Sequence, residues 1–160
     1  MPVLMDQEAI KKVIPHRDPF LLIDEVLELE PGKRVVARKH LKEDEFWFKG
    51  HFPGYPVQPG VLTVEMLAQA GAVCVLSLPE FKGRVALFAG IDKARFRRTV
   101  RPGDTLELTV EILKLRSSIG VGSAVATVDG KRAVTAEISF AIGPAVADAG
   151  PAAAGGGRQA

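Results

Sequence analysis

Two kinds of hydrophobic pattern divide this chain. Between residues 60 and 76 apolar side chains fall on nearly every helical face, with Val61, Leu62, Val64, Met66, Leu67 and Ala68 followed by a run from Ala70 to Leu76. A helix that is apolar all round is a buried helix. Pro59 suits its first turn, where a missing N–H costs nothing, and the helix should stop before Pro79. The second half alternates with a period of two. Leu106, Leu108, Val110 and Ile112 point one way and Thr105, Glu107, Thr109 and Glu111 the other, until the phase slips at Leu113, the mark of a β-bulge. Residues 121–128 and 133–141 flank Asp129-Gly130, a hairpin signal, and Val134, Ala136, Ile138 and Phe140 share one face. Residues 85–98 read as one long strand that ends ahead of a turn at Arg101-Pro102-Gly103-Asp104. Before the helix, residues 20–29 and 34–41 read as strands around Pro31-Gly32. A few strands, one enclosed helix and a run of antiparallel strands predict an α+β fold in which one sheet wraps the helix. Residues 143–160 are Gly/Ala/Pro-rich without periodicity, so the folded domain is expected over 1–142 with a disordered tail behind it.

The bulk numbers narrow the function classes. A chain of 160 residues fits one domain, and 47% hydrophobic with 25% charged residues is ordinary for a soluble protein. A formal charge of +2 argues for neither nucleic acid nor membrane. Thr63, Glu65 and Gln69 interrupt the apolar helix and make it a poor membrane span, and the first twelve residues lack the long apolar run of a signal peptide. A cytoplasmic location is the expectation. The one cysteine, Cys74, excludes an intramolecular disulfide and reads as a small hydrophobe. Three scattered histidines offer no metal-ligand cluster, and there is no phosphate-cradling loop or dinucleotide fingerprint, so neither metal nor cofactor is expected.

The chemistry concentrates on Glu65, the only charged residue between Phe52 and Leu78. A lone carboxyl on a buried helix must be paired, hydrogen-bonded or protonated. An arginine partner from elsewhere is the plainer reading. General acid–base work is the sharper one, because His51 stands fourteen positions earlier in a loop stiffened by Pro53, Pro56 and Pro59. Gln69, one helical turn on, either orients the Glu65 carboxyl or packs as a helix amide. Gly60 at the helix start either offers its backbone N–H to a developing negative charge or permits close packing. His16, in a turn-like segment, and His40, at a strand end, are read as non-catalytic. Lys93, Arg95, Arg97, Arg98 and Arg101 put five cations into nine residues with no acid among them. Such a run is usually a solvated face. Here it is also a candidate docking patch for an acidic partner, with Lys93, Arg95 and Arg97 on one face of a strand.

The segment 51–69 (HFPGYPVQPGVLTVEMLAQ) closely resembles the signature of the (3R)-hydroxyacyl-[acyl-carrier-protein] dehydratases of the FabZ type. Residues 14–24 (IPHRDPFLLID), 96–104 (FRRTVRPGD) and 128–131 (VDGK) fit the same family, so the likeness runs from about residue 10 to 142. The resemblance implies a hotdog fold, a curved antiparallel sheet around one long helix. It implies a homodimer whose two sheets join, arranged as a trimer of dimers, in which His51 and Glu65 of one active site come from different subunits. It implies bacterial type II fatty-acid synthesis with substrates tethered to acyl carrier protein, and no cofactor or metal. Glutamate rather than aspartate at position 65 favours a dehydratase that does not isomerise its product. Met66 and Tyr55 depart from the common pattern, away from the acid–base pair.

On this resemblance the reaction is elimination of water to give the trans-2-enoyl thioester. His51 removes the C2 proton, Glu65 protonates the departing 3-hydroxyl, and the N–H of Gly60, with Val61, polarises the thioester carbonyl. A variant gives both proton transfers to His51 while Glu65 holds a water. The rival readings are a hotdog thioesterase, with the carboxylate activating water, and an acyl-binding hotdog protein without activity.

Overall fold

A computed structural model describes residues 2–146. It opens with a short helix, α1 (Gln7–Lys11), whose first turn is capped by the Asp6 side chain accepting from the Ala9 N–H at 2.9 Å. The strands β1 (Glu25–Glu30) and β2 (Arg34–His40) come next, then the long helix α2 (Gly60–Leu76) and a 3-10 turn (Pro79–Phe81). Strands β3 (Arg84–Phe96), β4 (Thr105–Arg116), β5 (Ile119–Val128) and β6 (Lys131–Ala145) complete one six-stranded antiparallel sheet of order β1-β2-β4-β5-β6-β3. Helix α2 touches all six strands. The sheet therefore curves around it, the hotdog arrangement that the resemblance implies. No helix among the described residues is long and apolar enough to cross a membrane.

The local patterns account for most of this. Leu106, Leu108 and Val110 are buried against α2 while Glu107 and Glu111 face out. The β4–β5 register shifts between Ile112 and Lys114, which places the predicted bulge at Leu113. Asp129 (φ 50°) and Gly130 (φ 78°) both take the left-handed conformation that a tight two-residue hairpin turn requires. Burial on almost every face of α2 includes Met66, Leu67, Ala70 and Val73, each 0% exposed.

Four expectations need correction. The strand read over 20–29 is confined to Glu25–Glu30. Leu21, Leu22 and Ile23 are buried as their apolarity demands, but their segment lies across α2, and the Leu22 N–H donates to Gln69 Oε1 at 2.9 Å instead of to a neighbouring strand. Strand β3 ends at Phe96 rather than at residue 98; Arg97 N–H still bonds Ala133 O in β6, and the chain then leaves the sheet. It also carries three register shifts, a device that suits an edge strand. Strand β6 runs on to Ala145, opposite Arg84, three residues past the expected end of the domain; the rest of the predicted tail, 147–160, lies outside the described residues. Finally, α1 was not anticipated, since one buried side chain, Ile10, gives no periodic signal.

The loop between β2 and α2 is held by a buried polar chain. Trp47 Nε1 donates to Gln58 Oε1 at 2.8 Å, and Gln58 Nε2 reaches Thr63 Oγ1 at 3.3 Å on α2. Gln58 is 4% and Trp47 8% exposed, so the indole N–H has no water to fall back on. Gln58→Leu should therefore cost about 1–3 kcal/mol, read as a lower urea midpoint at unchanged m-value. Trp47→Phe in the same chain should recover part of it, because the indole N–H is then no longer left unpaired, while Thr63 Oγ1 still lacks its donor. A double variant as unstable as the single one would mean that the loss lies in packing.

Candidate active site

The His51 loop is fixed by its own backbone. His51 N–H donates to Phe48 O at 3.2 Å and Val57 N–H to His51 O at 2.9 Å, while Gln58 N–H reaches Val100 O at 2.8 Å. The imidazole is half-buried and its Nδ1 lies 2.8 Å from Val57 O. A carbonyl oxygen only accepts, so Nδ1 carries the hydrogen and Nε2 is left as a bare acceptor. That is the tautomer a general base needs.

Helix α2 begins at Gly60 with no side-chain cap and no acidic residue in its first turn. Leu62 and Thr63 N–H both bond Pro59 O, which leaves the N–H groups of Gly60 and Val61 without a hydrogen-bond partner among the described residues. Gly60 is also a close approach: a Cβ there would run into the Phe96 ring. This is the close-packing reading of Gly60, since the contact that admits only glycine brings β3 against the helix start. Gly60 and Phe96 border a cleft with Arg97 and Arg98. Val61, next in the helix, is 73% exposed.

Among the described residues Glu65 has no arginine partner. Its Oε2 accepts from Gln69 Nε2 at 3.0 Å and lies 3.9 Å from His16 Nε2. Gln69 is buried, donates also to Phe20 O at 2.8 Å, and accepts from Leu22. One amide thus orients the carboxyl and pins the 20–22 segment, and the two readings of Gln69 are both satisfied. Burial pushes the Glu65 pKa up from the ordinary carboxylate value, with the Gln69 hydrogen bond working weakly against it. The neutral acid is thereby favoured.

Glu65 and His16 open one end of an apolar cavity between α2 and the sheet, which continues past Gly71 and Val110 to Phe88 and Phe140. Among the described residues nothing chargeable lines it beyond those two. Its shape and lining suit an alkyl chain entering beside the carboxyl. His16 was dismissed on the sequence and is the residue that reading missed. Its only local signal was the tight Pro15-His16-Arg17-Asp18-Pro19 turn, which says nothing about a contact with residue 65. His51 does not line this cavity, and no contact joins it to Glu65 among the described residues. His40 stays outside as expected, bridging Glu25 at 3.0 Å and Thr105 at 3.1 Å on the surface.

The cations are all exposed, yet they do not form the predicted row. The β3–β6 register shifts between Asp92 and Arg95, and Lys93 sits in that bulge with φ 54°. Arg95 lies opposite Thr135 and Arg97 Nη2 reaches Thr135 Oγ1 at 3.4 Å, so these two share the outer face. Arg98 follows the strand, and Arg101 donates to Tyr55 OH at 2.8 Å with its guanidinium 4.7 Å from that ring's centroid.

A six-stranded sheet around one helix, with a lone carboxyl at the mouth of an apolar cavity, defines an acyl-processing hotdog protein, and the comparisons agree. A family model described as FabA-like domain matches residues 14–137. The 3-hydroxyacyl-[acyl-carrier-protein] dehydratase FabZ of Ligilactobacillus salivarius is 59% identical over 140 residues, covering 88% of this chain and 100% of that protein. The protein of the same name from Bacillus cereus is 56% identical over 140 residues, covering 88% and 97%. A solved structure, the dehydratase heterocomplex ApeI:P from Xenorhabdus doucetiae, superposes with a TM-score of 0.73 at 18% identity over 84% of this chain and 90% of that one, a likeness of fold. The chain belongs to the family of FabZ-type 3-hydroxyacyl-[acyl-carrier-protein] dehydratases, hydro-lyases of fatty-acid synthesis.

Proposed function

We propose that this protein eliminates water from (3R)-hydroxyacyl chains tethered to acyl carrier protein, with His51 as the base and Glu65 as the acid. His51 Nε2 takes the proton from C2. The electrons move onto the thioester oxygen, where the N–H groups of Gly60 and Val61 stabilise the enolate. As the enolate collapses, the C3–O bond breaks and the leaving hydroxyl takes the Glu65 proton, so water and the trans-2-enoyl thioester depart. The observation that carries this reading is the opposite preparation of the two groups, an imidazole whose Nδ1 faces a carbonyl and leaves Nε2 free, and a carboxyl whose pKa burial raises. A thioesterase needs a carboxylate to activate water, and the raised pKa of Glu65 works against that role.

The active unit in this proposal is a homodimer, three of which form a trimer of dimers as the family resemblance implies. Strand β3 is a sheet edge whose Leu87, Phe88, Ile91 and Phe96 are 44–56% exposed. An open edge with that much apolar surface supports pairing with a second copy. Acyl carrier protein, an acidic partner, docks against the exposed Arg95 and Arg97, with Lys93, Arg98 and Arg101 flanking, beside the cleft that leads to Gly60.

The test is an assay of the purified protein on a carrier-bound 3-hydroxyacyl thioester and on its pantetheine-linked analogue. Enoyl absorbance is expected from both; release of free thiol without it would establish a thioesterase, and neither signal an acyl binder. Changing Arg95 and Arg97 to glutamate should raise KM for the carrier-bound substrate and leave the analogue nearly unaffected. The wild-type preference for the carrier should also shrink as salt rises. Equal losses on both substrates would place these arginines in support of the fold instead of the docking surface.

A further inference from the structure

His16 reaches Glu65 from a segment forty-nine residues away. Residues 20–22 are tied to α2 through Gln69, which accepts from Leu22 N–H and donates to Phe20 O, and His16 follows from the turn just before them. Its ring lines the cavity beside Glu65, with Nε2 3.9 Å from Oε2. Its Nδ1 is buried and has no hydrogen-bond partner among the described residues. A buried N–H without an acceptor is the costlier orphan, so the hydrogen belongs on Nε2, on the Glu65 side, and Nδ1 is the bare acceptor. Gln69 Nε2 donates to that same Oε2 at 3.0 Å. One N–H donor thus bonds Oε2 and the Nε2 of His16 stands 3.9 Å from the same oxygen, short of a hydrogen bond, while Oε1 has no hydrogen-bond partner among the described residues.

We propose that His16 is a positioning residue for the dehydration: together with Gln69 it claims Oε2 as an acceptor and so holds the carboxyl proton of Glu65 on Oε1, the oxygen left free for the departing hydroxyl. The inference rests on Glu65 being the acid of the proposed reaction. The 3.9 Å separation suits a site without substrate, since such contacts tighten when the cavity fills. An ion pair is disfavoured from both sides. Burial, with the positive charge of Arg17 next in sequence, lowers the His16 pKa, and burial raises that of Glu65. Among the described residues His16 and Glu65 are the only titratable groups lining the cavity, and burial favours the neutral form of each.

The test compares full-length His16→Phe, which keeps a ring but no donor, with His16→Gln, whose amide N–H can stand where Nε2–H stands. His16→Phe should lose about tenfold in kcat, the order of one hydrogen bond to a reacting group, with KM within about twofold of the wild type. His16→Gln should recover kcat to within about threefold of the wild type. The alkaline limb of kcat should move upward in His16→Phe, because the carboxylate has lost a donor and Glu65 holds its proton to higher pH. In a Glu65→Gln background His16→Phe should add nothing, since no carboxyl proton remains to be placed. If His16→Phe does not fold, His16→Met, flexible and without a donor, takes its place in the comparison. The inference is overturned if the donor-free variant turns over normally, if it and His16→Gln lose equally, or if its loss persists in full without Glu65. Near-normal activity of Glu65→Gln would instead remove the reading of Glu65 on which the proposal rests.

Discussion

His51→Ala and Glu65→Gln should each lower kcat by at least about 10²-fold, the contribution expected of a positioned acid or base. Neither change should unfold the protein. His51 is half-buried on a loop whose backbone bonds do not involve its side chain beyond Nδ1, and glutamine at 65 keeps the size of the carboxyl and can still accept from Gln69. The two variants should differ in stability. Burial raises the Glu65 pKa, so between the unfolded and the folded pKa the native state binds more protons than the unfolded one. Native stability contributed by this group therefore falls as pH rises through that window. Glu65→Gln escapes that loss and should melt no lower than the wild type, with its advantage greatest at alkaline pH, while being nearly inactive. A site kept at the expense of stability is a common signature of function. In the wild type, kcat should fall on the alkaline side as Glu65 gives up its proton, above the range of an exposed carboxyl. Turnover near normal in either variant would mean that the pair is wrongly assigned.

The elements legible in the sequence are those set by neighbours in the chain. The apolar run of α2, the alternation of β4 with its slip at Leu113, and the Asp129-Gly130 turn each carry their own signal, and each is found where it was read. The misses depend on partners distant in sequence. Residues 20–23 have strand-like side chains, but what satisfies Leu22 N–H is an amide forty-seven residues on, in α2. The bulge at Lys93 is set by pairing with β6, and no alternation within β3 announces it. The same division runs through the site. Glu65 was conspicuous because a lone charge on an apolar helix is a local anomaly, and His51 because its loop is rigid. His16 offered only a turn, and its place beside Glu65 is produced by the way residues 14–24 drape across the helix.

Mixing two inactive variants should restore activity. In one chain Glu65 faces the apolar cavity while His51 does not line it, and β3 leaves an open edge with exposed apolar side chains beside the helix start. If a second copy pairs at that edge, each site is completed by His51 of one protomer and Glu65 of the other. A two-fold axis makes the two sites equivalent. After random exchange between His51→Ala and Glu65→Gln chains, half of the dimers are mixed. Each mixed dimer has one site with both native groups and one with neither, so activity should recover to about one quarter of the wild-type level. Against single-variant activities of about 1% or less, that is a gain of roughly 25-fold. Exchange has to be driven, for example by mild denaturation and refolding, and followed independently with differently tagged chains. Recovery should grow with the measured fraction of mixed dimers and be absent when each variant is refolded alone. Mixed dimers that form and stay inactive would place His51 and Glu65 of one site in a single chain, and the open edge of β3 would then serve assembly without completing the chemistry.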